Sequence, residues 1–272
     1  MRALDLRTVR CMSLTARHFS DVDKAPSPGA YEAYLELAER SAPVTALRAH
    51  IAQRLGRPTG HGVDVGCGTG HAVAELRAAG LAVVGVDRSN SLVRTARTRF
   101  AGSSYLVGDA MALPFPDGRV GWYRAERLLI HLPDAARALE EARRVLRPGG
   151  RIALADPDFA TLAIASGHTA TTGPAAEAFA EALADGRAGA RHDALLGRAG
   201  FTDRVTSTVP LVFTTFAEAW PLLVEPACAA AVAAGALDPE RVRALREEQE
   251  SREGKGLVEA SCLAHVTTAT RA

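Results

Sequence analysis

The sequence predicts an α/β fold: a doubly wound, seven-stranded, mostly parallel sheet with a helical N-terminal cap. Three observations predict it. A buried-strand pattern, Val63-Asp64-Val65, runs directly into a glycine turn at residues 66–70. Strand and helix patterns then alternate as far as residue 155, the rhythm of parallel strands joined by right-handed crossovers. Two late alternating stretches, residues 205–213 and 258–266, supply further strands.

A chain of 272 residues with 47% hydrophobic content can fill one large α/β core and a cap. Its 32 basic and 31 acidic side chains leave a net charge of +1, with no block of five like charges. That argues against a linear nucleic-acid-binding tract. Cys11, Cys67, Cys228 and Cys262 are far apart and form no C-x-x-C pair. Neither a zinc site nor a disulfide framework is expected, and a reduced, cytoplasmic setting is. Residues 1–17 carry arginines and lack an apolar run, so they do not read as a secretory signal. The apolar run at 220–237 is broken by Pro221, Glu225 and Pro226, which predicts a helix packed on protein rather than a membrane span.

The elements follow in order. Residues 1–58 form the expected cap. Within it, 31–40 and 44–55 show helical spacing, with Tyr31, Tyr34, Leu35 and Ala38 on one side of the first. That aromatic stripe reads as core. After the glycine turn, a helix over 69–79 ends at Gly80. Residues 81–87 are a strand, and Ser89 or Asn90 caps a helix carrying Leu92, Val93, Ala96 and Phe100. Strands at 104–107 and 120–124 flank a turn-rich loop, Leu113-Pro114-Phe115-Pro116-Asp117-Gly118. A helix over 134–147 leads through Pro148-Gly149-Gly150 into a strand at 151–155. Residues 158–188 show no strand pattern and read as an inserted loop or helix. A helix over 192–199 precedes the 205–213 strand, whose Pro210 argues for a sheet edge. Residues 216–256 read as helical, and both 158–188 and 216–256 are expected as lid insertions on a core spanning 59–272.

The chemistry concentrates in the glycine turn and two acids. Gly66, Gly68 and Gly70 let a ligand approach the backbone and are expected to leave N–H groups facing it. A dinucleotide fingerprint needs glycine at position 71, which is His71 here. Asp87 ends the second strand, where a carboxylate accepts both hydroxyls of a ribose, each charge-assisted bond contributing about 1.5–3 kcal/mol. Asp109 follows the third strand. It is placed to take an adenine amino group, with the Ala110 N–H on a ring nitrogen and Met111 against the ring.

The G-x-G-x-G turn preceded by Asp64, the acids at 87 and 109, the 113–118 loop and Leu146-Arg147-Pro148-Gly149-Gly150-Arg151 together resemble the class I S-adenosylmethionine-dependent methyltransferases over residues 61–156. The closest resemblance is to the small-molecule branch, with the ubiquinone-biosynthesis type and natural-product tailoring enzymes. It implies a Rossmann-like sheet whose last strand is antiparallel, S-adenosylmethionine (SAM) as cofactor and S-adenosylhomocysteine (SAH) as product. It also implies a small organic acceptor methylated on O, N or C, with no nucleic-acid or membrane partner and a homodimer left open. Cys67 and Arg88 join the cofactor-binding set, and main-chain atoms near Arg124 and Ala125 line the methionine end. One departure is plain: the fourth strand opens with Val120-Gly121, where this branch often has Phe-Asp.

In-line placement supplies much of the rate of methyl transfer, with effective molarities on the order of 10⁵–10⁸ M. An acidic acceptor also needs a base. His131 is the first candidate and Glu126 the second, both just past the fourth strand. No metal-ligand spacing is present. Two rival readings remain at this stage: an NAD-dependent oxidoreductase, and a methyltransferase-like fold that binds SAM without transferring methyl.

Overall fold

A computed structural model describes residues 22–25 and 27–272. Cys11 and the arginine-bearing stretch 1–17 lie outside the described residues. After the 3₁₀ turn Val22–Lys24 come α1 (Pro28–Arg40) and α2 (Ala42–Leu55), each with proline in its first turn, where a missing N–H costs nothing. Then come β1 (Gly62–Val65), α3 (His71–Ala78), β2 (Val83–Asp87), α4 (Asn90–Arg99), β3 (Ser104–Val107), β4 (Val120–Glu126), α5 (Ala135–Val145) and β5 (Leu146–Ile164). The last part holds α6 (Thr169–Ala182), α7 (Ala188–Arg198), β6 (Phe201–Phe213), α8 (Phe216–Ala219), α9 (Glu225–Ala233), α10 (Pro239–Glu253) and β7 (Ala260–Arg271).

Seven strands make one sheet in the order β3-β2-β1-β4-β5-β7-β6. The first five are parallel, and β7 runs antiparallel to both β5 and β6. Strand order reverses between β1 and β4, which opens a crevice at their carboxyl ends. Every residue of both strands is buried, as sheet centres covered by helices require. Gly62 is needed there because a Cβ would lie 1.9 Å from the Trp122 ring.

Local signals set most helix starts. Ser89 Oγ accepts the Leu92 N–H at 3.2 Å, Asp134 accepts the Arg137 N–H at 2.9 Å and Asp238 accepts the Arg241 N–H at 2.9 Å. β6 occupies the sheet edge, so the expected place of Pro210 is found.

The segment after Asp156 departs from expectation. β5 does not stop at residue 155 but pairs with β7 as far as Ile164, with a register shift between Asp158 and Ala163. Pro157, Asp158 and the bulge interrupt the period-two pattern, which hid the strand. β7 imposes it, because its first residues need a partner beyond the reach of β4. The rest of 158–188 folds as α6 and the start of α7.

The apolar run forms one helical stretch, Phe216–Ala233, with a π-helical turn at Trp220–Val224 joining α8 to α9. It is long and apolar enough to cross a membrane by length and composition. Here α9 packs along α6, and Trp220, Leu222, Leu223, Val224, Ala227, Cys228 and Ala231 are buried.

Candidate functional site

One cavity crosses the carboxyl ends of five strands, and its lining follows sheet order. Gly108–Met111 come after β3, Asp87 and Arg88 at the end of β2, residues 64–69 from β1 and the following turn. Residues 124, 126–128 and 130–132 follow from β4, and Phe159 from the extension of β5. Val22, Tyr34, Leu35 and Glu39 close it from the cap, and Phe179, Leu183 and Pro226 from the α6–α9 side. Together with the open solvent space at its mouth it spans about 1480 Å³.

The glycine turn is a rigid cradle. Gly66, Gly68 and Gly70 all have positive φ. At Gly70 (φ 89°) a Cβ would also lie 2.6 Å from the Tyr105 hydroxyl. The expected outward N–H groups are largely taken up inside the protein. Gly66 and Cys67 donate to the Val86 carbonyl at 2.8 and 3.1 Å, Gly70 to the Cys67 carbonyl at 3.0 Å, and Gly68 to Asp87 Oδ2 at 2.9 Å. The turn therefore presents a shaped backbone surface rather than an anion hole. Cys67 is buried, and burial pushes its thiol well above the ordinary range, away from nucleophilic chemistry.

Asp87 accepts Gly68 N–H through Oδ2 and Ser89 N–H at 3.0 Å through Oδ1. Burial raises its pKa against those two bonds. Each oxygen keeps a second lone pair directed to further donors, so the geometry suits two adjacent hydroxyls. Asp109 accepts the Met111 N–H at 2.9 Å through Oδ1. Ala110 is buried beside it and Met111 is half-buried, both on the cavity wall.

Asp23 was not among the residues read from the sequence. It accepts from the Ser89 hydroxyl at 2.6 Å, the Asn90 N–H at 2.7 Å and the Ser91 N–H at 3.1 Å. Those bonds outweigh partial desolvation and pull its pKa down to about 2. This ties the Val22–Lys24 turn to the start of α4 and sets Val22 against the cavity.

Between the β1 and β4 ends lies an alternating chain of charges. Asp64 Oδ1 accepts Arg124 at 2.6 Å, and Arg124 also donates to Glu126. Glu126 meets Arg127 at 3.2 Å, and Arg127 donates to Glu39 of α1. Glu39 meets Arg48 of α2 at 2.7 Å, and Arg48 meets Glu75 of α3 at 2.9 Å. Four carboxylates and three guanidinium groups thus join the cap to the sheet. The side chain of Arg124, and not its main chain alone, belongs to the site; Ala125 next to it is fully buried. Arg127 sits at φ 52°, in the left-handed region, held by its N–H to the Ala155 carbonyl at 2.7 Å.

The two candidate bases differ sharply. Burial raises the Glu126 pKa, but the Arg124 and Arg127 charges outweigh it and hold the group low. A carboxylate fixed between two guanidinium groups is a weak proton acceptor. His131 ends the short 3₁₀ turn Leu129–His131 and lines the cavity. Burial, aided by the Arg127 charge, lowers its pKa to about 3. The imidazole is neutral at physiological pH. Asp156 lies behind that turn, fully buried, accepting His192 Nε2–H at 2.9 Å and the Ile130 N–H at 3.4 Å. Among the described residues no group of three or more His, Cys, Asp or Glu is placed to hold a metal ion.

Residues 63–154 match the family described as a methyltransferase domain. That stretch, about a third of the chain, is similar to a methyltransferase domain. Among curated relatives, it is 36% identical to the methyltransferase GfsG of Streptomyces halstedii over 139 residues, 48% of each chain. It is 35% identical to 27-O-demethylrifamycin SV methyltransferase of Amycolatopsis mediterranei over 132 residues, 46% of this chain and 45% of that one. The chain spans about half the length of the curated relatives it matches. Among solved structures, a protein of Bacillus halodurans C-125 aligns with TM-score 0.59 at 20% identity, covering 83% of this chain and 99% of that one. A Haemonchus contortus phosphoethanolamine N-methyltransferase, solved with phosphomonomethylethanolamine and SAH, aligns with TM-score 0.58 at 16% identity over 95% of this chain and 60% of that one. These likenesses show the fold. The matched stretch runs from β1 to the first half of β5. Tyr34, Glu39, Phe159, Phe179, Leu183 and Pro226, all on the cavity wall, lie outside it.

Proposed function

We propose that this chain binds SAM and transfers its methyl group to a small organic acceptor. One observation carries the reading: carboxylates with spare acceptor capacity stand in strand order along a single cavity. Asp109 follows β3 and fits an adenine edge, Asp87 ends β2 and fits a ribose, and Asp64 lies one residue before the end of β1. Asp64 Oδ2 is buried without a hydrogen-bond partner, at the place where an ammonium group would satisfy it. Gly66, Cys67, Gly68, Arg88, Ala110 and Met111 supply the walls around these acids. Relatives named as O-methyltransferases and a rifamycin methyltransferase support a role in metabolite biosynthesis.

When bound, SAM supplies a methyl group on a cationic sulfur that leaves as a neutral thioether. The protein's part is placement and exclusion of water. The charge chain from Asp64 to Glu75 fixes the β1 and β4 ends and anchors the cap over them. Glu126 serves in that chain as an anchor for Arg124 and Arg127. His131, neutral and on the cavity wall, can take a hydrogen bond from the acceptor's reacting group and orient it; with its pKa lowered to about 3 it is a weak base, so transfer relies on placement. The cap, α6 and α9 form the lid.

Asp87→Ala tests the reading. Calorimetric titration with SAH should show affinity falling at least tenfold, about 1.4 kcal/mol, while the circular dichroism spectrum is unchanged. Equal affinity would remove Asp87 from the ribose role.

A further inference from the structure

The charged side chains on the cavity wall are not spread evenly. Asp109, Asp87 and Arg88 lie toward β3 and β2, and Asp64, Arg124, Glu126, Arg127 and Glu39 are locked in mutual ion pairs at the β1 and β4 ends. Past Leu128 the character changes. Ile130, Leu132, Phe159, Phe179, Leu183 and Pro226 wall the β5 end. The Phe159 and Phe179 rings lie 4.6 Å apart, tilted by 49°, and both are buried. His131 lies on this part of the wall, and Tyr34, also on the wall, donates its hydroxyl to the Leu222 carbonyl at 3.2 Å. This end lies across the Asp64–Arg124 pair from Asp87 and Asp109, so it is the part of the cavity left for the acceptor.

We propose that the acceptor is an uncharged, largely apolar molecule with a flat or alkyl body, seated against the Phe159–Phe179 pair, its reacting polar atom turned to His131. The proposal rests on the methyl-transfer reading above and narrows it. A phosphate, carboxylate or ammonium entering this end would leave water without meeting an opposite charge, and a buried ion without a partner is strongly disfavoured. Each nearby guanidinium already holds two carboxylates: Asp64 and Glu126 on Arg124, Glu39 and Glu126 on Arg127. Recruiting either one for an ionic acceptor would strip a buried carboxylate. A zwitterion such as the phosphomonomethylethanolamine bound by the Haemonchus enzyme therefore has no place to dock here. An aromatic or alkyl body gains by displacing water from the apolar wall.

Two matched probes test this on the full chain by calorimetry: 2-naphthol, and 6-hydroxynaphthalene-2-sulfonate, which adds one fixed charge to the same ring system. SAH affinity is measured first, then each probe is titrated into SAH-loaded protein. The expected result is 2-naphthol binding at least tenfold tighter than the sulfonate. Phe179→Ala and the milder Phe179→Leu should weaken 2-naphthol at least fivefold and threefold, with SAH affinity unchanged in both as the check that the fold is intact. Equal or tighter binding of the sulfonate overturns the proposal. So does absence of binding by either probe, or 2-naphthol binding that ignores both variants. Wild-type protein that fails to bind SAH overturns the cofactor reading itself, and the acceptor proposal with it; SAH binding with the wrong probe order overturns the acceptor class alone.

Discussion

His131 is neutral because the cavity wall, the cap and Arg127 all disfavour a cation there. A proton that the ordinary side chain takes up near pH 6.5 is refused in the folded protein until about pH 3. As pH falls through 6.5 the unfolded chain gains that proton and the folded chain does not, so stability drops toward acid. Between these pH values the loss approaches about 1.4 kcal/mol per pH unit, and above pH 7 it vanishes. Buried acids with raised pKa, Asp64, Asp87 and Asp156, push the total the other way, so the comparison must be with His131→Gln. Urea midpoints at pH 7, 6, 5 and 4 should converge at neutral pH and separate toward acid, the wild type falling faster. Parallel curves would put the imidazole in water. Some of this site is plain from sequence. Asp87 and Asp109 follow recognisable strands by fixed short distances, so spacing finds them. Glu39 and Asp23 reach the site across 88 and 66 residues, and no local pattern announces such a partner. The left-handed backbone at Arg127 is likewise invisible, since nothing but the surrounding fold requires it.

At the scale of elements, the charge chain binds α1, α2 and α3 to β1 and β4. Its sheet end is fully enclosed: the Asp64, Arg124 and Glu126 side chains are 2%, 4% and 5% exposed. Screening by solvent is weak there, and taking out the central cation leaves two carboxylates facing each other in the core. Arg124→Met should cost about 3–5 kcal/mol, read as a lowered urea midpoint with unchanged slope. A loss under about 1 kcal/mol would mean that Asp64 takes up a proton or water enters. Strands β1 and β2 were legible because valine-rich runs between glycine turns have few other uses. The second half of β5 was not, because the residues that pair it lie about a hundred positions downstream in β7, and a bulge erases the alternation.

The whole molecule divides its labour along the sheet. The turns on the β3-β2-β1 side fall within residues 63–154, the stretch similar to a methyltransferase domain. The β5 side adds Phe159, Phe179, Leu183 and Pro226, from outside that stretch, to Ile130, His131 and Leu132 within it. α6, α9 and the cap meet over the β5 end of the cavity, apart from the β3, β2 and β1 turns. That arrangement makes the site a joint product of the first helices and the last third of the chain.

The position of β7 has a consequence for the growing chain. This strand is the last of the seven to be made, yet it lies inside the sheet, between β5 and β6. From the end of β6 at Phe213 to Arg271, translation at about 5–20 residues per second takes on the order of 3–12 s. For that interval β5 exposes an unpaired flank and β6 has no neighbour, the state in which nascent strands recruit the wrong partner. Ribosome-bound chains stalled before residue 260 should therefore be cut rapidly by protease within residues 201–213 and bind holdase chaperones, whereas chains extended well past 271 should resist. Equal resistance in both would mean that β6 finds shelter before its partner is synthesised.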